Sequence, residues 1–232
     1  MDNRLHVSQY GQCLVVDELC YKDIPEHKPG YFIEIGAGDG YTISNTYWFE
    51  KVRDWKGLLV EPIPHLVDKM LHNRWCDIYS GAVYIKDGTV DFLHLDGYSE
   101  MISGIQEAYH KQYYERVKRE IQQHDQKTNT INVKCCTLNT LISEFNKNNG
   151  RGVNAPIDFL SLDCQTAELH VLYNYTFSDN PCKVIDIDMN NLNKNQLIDW
   201  FTENGFRQHW KHQIADEYIF VNDSIKWSWE SV

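Results

Sequence analysis

Four carboxylates lie at or near the ends of short apolar runs, and their neighbours decide what each could do. Tyr31-Phe32-Ile33-Glu34-Ile35 leads into Gly36-Ala37-Gly38-Asp39-Gly40. Glycine at every second position lets a chain turn sharply and lets a ligand reach bare backbone. Gly57-Leu58-Leu59-Val60-Glu61-Pro62 is a second apolar run, and an acid at that position can accept two hydrogen bonds from a ribose diol. Asp163 closes Asp158-Phe159-Leu160-Ser161-Leu162, and Asp188 closes Lys183-Val184-Ile185-Asp186-Ile187, with Asn190 two residues on. Such acids can take a proton, hold a cationic group or bind a hard cation. His94, in the alternating stretch Val90–Leu95, is a further candidate base, as is His110.

The spacing narrows the ligand. A dinucleotide site wants Gly-x-Gly-x-x-Gly, and its third glycine would fall at Tyr41, which disfavours a nicotinamide oxidoreductase. The order acid, Gly36, Gly38, Gly40 instead resembles the first motif of class I S-adenosylmethionine (SAM) methyltransferases.

These groups need a scaffold. Phe32, Ile33 and Ile35 read as a buried parallel strand. Ser44, Asn45 and Thr46 are placed to cap the next helix and offer donors to a carboxylate. Pro64 opens a helix with Leu66, Val67, Met70 and Leu71 on one face. Asp77–Val83 reads as a third strand, putting Ser80 and Ala82 beside a bound ring. Val90–Leu95 and Ile131–Cys135 read as extra strands, and residues 105–125 as one helix striped by Ile105, Tyr109, Tyr113, Val117 and Ile121. That helix is either a packed surface element or a lid over an acceptor pocket. A Thr137-capped helix, two core strands, a helix over 193–204 and a final strand pair complete the chain. The expected fold is a doubly wound α/β sheet, mostly parallel with an antiparallel last strand, plus a small inserted β/α region. We expect one domain over 1–232, with 1–30 as a lead-in covering the site edge and 84–136 as an insert shaping the acceptor site.

Bulk properties exclude several classes. The 232 residues, 42% hydrophobic and 24% charged, suit one globular domain. A formal net charge of −11 argues against a nucleic-acid substrate, which draws on clustered Lys and Arg. The seven cysteines include no Cys-x-x-Cys pair, which points to reduced thiols and a cytoplasmic location. No run approaches membrane-spanning length.

The chain resembles the FkbM family of SAM-dependent methyltransferases from about Gly30 to Asn222. The residues carrying this are Phe32–Gly40, Ser44-Asn45-Thr46, Trp55–Pro62, Thr137–Leu141 and Ile157–Asp163. The resemblance implies a class I Rossmann-like fold, SAM as cofactor, and methylation of hydroxyls on sugars, glycans or polyketide-type natural products. On this chain it implies cofactor contacts from Glu34, Gly36, Ala37, Gly38, Asp39, Asn45, Thr46, Glu61, Pro62, Ser80, Ala82 and Asp163. The catalytic candidates are Asp163, Asp188 and His94; a divalent cation (Mg²⁺ or Mn²⁺), if used, would fall to Asp163, Asp188 and Asn190. Asp163 has two roles open to it: general base, or holder of the cofactor's amino group. Where relatives usually read Asp-Val-Glu-Gly-Ala-Glu, this chain reads Asp163-Cys164-Gln165-Thr166-Ala167-Glu168, and Asn139 stands where Asp is common. That departure leaves open a second class, a SAM-binding module without catalysis.

Overall fold

The computed structural model describes residues 5–21, 28–189 and 194–231. In chain order the first elements are α1 (Gln12–Tyr21), β1 (Tyr31–Ile35), α2 (Tyr47–Lys51), β2 (Lys56–Glu61) and α3 (Pro64–Asn73). Next come β3 (Asp77–Ser80), β4 (Ala82–Val83), β5 (Gly88–Asp96), β6 (Gly104–Ile105), α4 (Lys111–Gln123) and β7 (Lys127–Cys136). The rest are α5 (Leu138–Asn148), β8 (Ile157–Leu162), α6 (Glu168–Tyr173), β9 (Cys182–Asp188), α7 (Lys194–Glu203), β10 (Arg207–Lys211) and β11 (Glu217–Val221).

Seven strands form one sheet in the order β10-β11-β9-β8-β1-β2-β3, with β11 antiparallel to its neighbours and β3-β2-β1-β8-β9 parallel. The central strands are buried on both faces, so most side chains of both alternating sets are apolar, with Glu34, Asp158 and Ser161 as buried exceptions. On one face Ile33, Ile35 and Leu160 pack against α5 and α7 through Leu141, Phe145, Leu197 and Phe201. On the other, Phe32, Leu59 and Phe159 pack against α1, α2 and α3 through Val16, Trp48 and Met70. Register sets the strand ends level: Ile35 pairs with Val60 and Leu162, and Leu162 pairs with Ile187. Gly36, Glu61, Asp163 and Asp188, each one residue further on, therefore emerge along one carboxyl edge.

A second, four-stranded sheet runs β4-β7-β5-β6. It changes three expectations. The stretch Asp77–Val83 is not one strand: the chain leaves the main sheet after Ser80, and Ala82–Val83 pairs in parallel with Cys135–Cys136. A side chain at Gly81 would meet the Lys134 carbonyl at 2.7 Å, so the crossing needs glycine. The short strand expected at 131–135 is instead the whole of β7, paired antiparallel with β5 over nine positions. The helix expected from 105 starts at Lys111, because Gly104–Ile105 pairs with Phe92 and Leu93. Its Tyr113 and Val117 still pack beneath β5, with Leu95 and Ile102.

Before β1, Ser8 bridges to Ile43 beside the glycine turn, and Cys13 joins the core of the α1 face. The six described cysteines are free thiols. Among the described residues no helix is long and apolar enough to cross a membrane.

Candidate functional site

A crevice of about 310 Å³ opens at the carboxyl edge, over the turn after β1 and the tip of β2, a size in the range of small-molecule sites. Gly36 adopts φ +82, and a Cβ there would lie 2.0 Å from the Asp163 carbonyl oxygen. Only glycine allows the tip of β8 to come so close. Gly38, at φ +56, has open space where a Cβ would project. Its N–H donates to Glu61 Oε2 at 3.0 Å, and the Ile63 N–H donates to Glu61 Oε1 at 2.9 Å. The two strand tips are thus tied across the crevice floor, with a carboxylate between them.

Beneath the turn the carboxylate of Glu34 accepts from Ser44 Oγ at 2.8 Å, the Asn45 N–H at 2.8 Å and Thr46 Oγ1 at 2.5 Å. The carboxylate that Ser44, Asn45 and Thr46 serve is therefore the protein's own, and Glu34 positions the turn. Arg74, its side chain fully buried, sits behind. It donates to Gly40 O (2.9 Å), Ser44 Oγ (3.1 Å) and Thr46 Oγ1 (3.0 Å), and pairs with Glu50. Asp39 accepts from the N–H groups of Tyr41 and Thr42 and from Thr42 Oγ1. Burial works to raise its pKa, but these bonds outweigh burial and hold it below the usual range.

On the far side Asp163 accepts from Gln165 Nε2 at 2.5 Å, and Gln165 Oε1 accepts from Tyr113 Oη. Burial, then the neighbouring Asp188, pushes Asp163 up to about 7. Glu61 also rises to about 7, mainly through burial. Glu217, opposite Asp188 in the register, is pushed to about 8 by burial and by Asp188. Asn45 Nδ2 donates to Ser161 Oγ (3.0 Å) and Asp186 Oδ2 (2.9 Å), while Asn45 Oδ1 is buried without a partner.

Of the residues expected to bind a cofactor, Glu34, Gly36, Ala37, Gly38, Asp39 and Asn45 line the near wall of this crevice. Glu61, Pro62, Ala82 and Asp163 line the rest. Thr46 does not reach it; its hydroxyl serves Glu34 and Arg74. Ser80 is exposed at the end of β3 and outside the lining, because the chain turns away at Gly81. Asp188 lies at the neighbouring strand tip, outside the lining. His94 lies on β5, with Nε2 3.0 Å from Glu100 Oε1. His110 caps α4 through Tyr113 N–H. Asn190, the third member of the expected Asp163, Asp188, Asn190 cation set, falls outside the described residues. Asn139 fastens the loop after α6, donating to Asn174 O at 2.8 Å, which an Asp could not do. The sequence reading gave no role to Arg74, Ser161 or Asp186; the last two are polar residues inside mostly apolar buried strands, β8 and β9, a signal available in the pattern.

This is a Rossmann-like α/β chain with its ligand crevice at the carboxyl edge of the parallel strands. The methyltransferase FkbM domain matches residues 34–208, and the chain belongs to that family. Among solved structures it is similar to a methyltransferase FkbM from Methylobacillus flagellatus KT, with TM-score 0.51 and 9% identity. That likeness covers 87% of this chain but 45% of the other, so this chain spans under half the length of that protein and shares its fold. No curated protein matches.

Two outcomes follow from the buried charges. Arg74→Ala removes the buried cation between Glu34 and Glu50 and leaves Glu50 only the more distant Lys51, 3.6 Å away, which costs about 3–5 kcal/mol; urea unfolding should show that loss. Glu217 has a raised carboxyl pKa when folded, so the folded state holds its proton more tightly than the unfolded chain. The stabilisation is fully present below the unfolded carboxylate range and is lost as pH rises through about 8. Thermal melts of Glu217→Gln and wild type should therefore diverge with rising pH, the variant gaining most above about 8; a constant difference across pH contradicts this.

Proposed function

We propose that this chain is a SAM-dependent O-methyltransferase acting on a hydroxyl of a sugar or glycan. The observation that carries it is the tie between Gly38 N–H and Glu61 on adjacent strand tips, which leaves a bare-backbone turn and a ribose-competent carboxylate facing one crevice. The residues fit the cofactor: the space over Gly38 suits a close-lying chain, and the unpartnered Asn45 Oδ1 suits a cationic amino group. SAM supplies a methyl group on a sulfonium, activated without help from the protein. The protein's share is alignment and removal of the acceptor proton.

Asp163 is the best candidate for that proton. With a pKa about 7 it is half ionised near neutrality, the range in which a carboxylate works as a general base. Phe92, Met101 and Ile105 of the insert line the same crevice and supply an apolar wall on which a sugar face or natural-product ring can rest. The acidic net charge favours a small-molecule or glycan acceptor over nucleic acid and, with the free thiols, a cytoplasmic setting. A second reading, cofactor binding without turnover, draws support from Gln165, whose amide occupies Asp163 Oδ1.

Calorimetry with SAM and measurement of S-adenosylhomocysteine released across a panel of sugars separate the two readings. Glu61→Ala should weaken SAM binding roughly 10²- to 10⁴-fold, the worth of two hydrogen bonds to a charged group; unchanged affinity removes the ribose assignment. Asp163→Asn should lower kcat roughly 10²- to 10⁴-fold and erase the rise in kcat as pH climbs through about 7, where Asp163 ionises. If the variant instead raises KM for SAM at unchanged kcat, Asp163 holds the amino group.

A further inference from the structure

Away from the strand-tip acids, three side chains from three elements meet at one point. His65 lies in the first turn of α3, His94 on β5, and Glu100 on the short 3₁₀ turn Glu100–Ile102. Both imidazole Nε2 atoms stand 3.0 Å from the same oxygen, Glu100 Oε1, and the three donor atoms lie within 4.8 Å of one another. His94 and Glu100 are largely covered, at 17% and 20% side-chain exposure, whereas His65 is 47% exposed. The centre is sheltered on one side and open on the other.

We propose that His65, His94 and Glu100 form a binding site for one divalent transition-metal ion, zinc by ligand preference. Zinc takes imidazole nitrogen and carboxylate oxygen at about 2.0–2.2 Å, and ligand atoms at that radius stand roughly 3–3.5 Å apart around a four- or six-coordinate ion. The observed nitrogen-to-oxygen separations match such a polyhedron edge. Two imidazoles select zinc, nickel or cobalt, whereas magnesium and calcium prefer all-oxygen sets. Three protein ligands leave at least one position for water, as in open zinc sites.

The ion needs a lone pair where each imidazole points at Glu100. Each ring therefore carries its single proton on Nδ1 when the metal is bound, and Glu100 is ionised. Because Glu100 also lines the crevice, the ion would fasten the second sheet to α3 at the crevice wall. A cation there also offsets the repulsion between Glu100 and Glu61, two acids close enough to perturb each other. The site shares no residue with the Asp163 and Asp188 tips, and the inference stands whether or not the chain transfers methyl groups.

The test uses the full chain stripped with a chelator, then titrated with Zn²⁺ alone by calorimetry and followed by thermal melting. One equivalent should bind and raise the melting temperature, and Co²⁺ should give a visible d–d spectrum. His65→Ala, half-exposed and harmless to packing, and Glu100→Gln should each weaken Zn²⁺ binding about ten-fold or more, since loss of even a supporting partner costs that much. His72→Ala, an exposed histidine later on α3, should bind as wild type. Far-UV circular dichroism on every variant separates lost binding from lost folding. No Zn²⁺ bound by the stripped chain, or equal binding in both folded ligand variants, overturns the proposal.

Discussion

The guanidinium of Arg74 is the fixed point from which the crevice is built. Its side chain is wholly buried, and its donors reach the backbone of the glycine turn, the two hydroxyls under it and the carboxylate of Glu50. Glu34 lies 3.8 Å away and meets the same hydroxyls from the other side. A buried cation is tolerable only when its hydrogen-bonding capacity is filled, so the turn cannot relax without stranding charge. Glu50 also accepts the Cys76 N–H, which fixes the chain entering β3. One charged group thus sets the shape of the glycine turn.

Opposite that network the acids are met by amides rather than by a buried guanidinium. Asp163, Glu61 and Glu217 are all raised by burial, and Asp186 and Glu168 are driven up for the same first reason. A sheet edge that collects buried acids is costly, and among the described residues these five form no ion pair. Part of the cost is met by holding protons more tightly, part by amides: Gly38 and Ile63 on Glu61, Gln165 on Asp163, Cys164 on Glu168. The two halves of the site differ in kind, one an ion network around Arg74, the other a set of buried acids whose pKa values are raised.

What was legible in the sequence was local. Glycine at every second position after a β-branched run, and an acid closing the next run, are short-range signals, and Gly36, Glu61 and Asp163 duly share one edge. Long-range pairing was not legible. Ser80 read as a crevice residue because nothing local marks Gly81 as the point where one sheet gives way to another; that requirement comes from Lys134, more than fifty positions away. Arg74 carries no local signal, since a lone arginine at a helix end is ordinary and its partners are scattered from Glu34 to Glu50. The same holds for His65, His94 and Glu100, which no spacing rule joins.

The departure at Gln165-Thr166 is where local and distant constraints meet. Both residues adopt left-handed backbone, φ +50 and +79, a region that glycine occupies freely and threonine does not. Holding a β-branched residue there costs about 1–3 kcal/mol unless the surroundings over-determine it. They do: Thr166 Oγ1 donates to the Ala108 carbonyl at 3.0 Å, and Gln165 bridges Tyr113 of α4 to Asp163. A Glu-Gly pair could supply neither the amide donor to Asp163 nor the hydroxyl to Ala108. The exchange therefore replaces flexibility and a further acid with a rigid link between the insert and the strand-tip carboxylate, so that the wall lined by Met101 and Ile105 and the acid it faces are held as one piece.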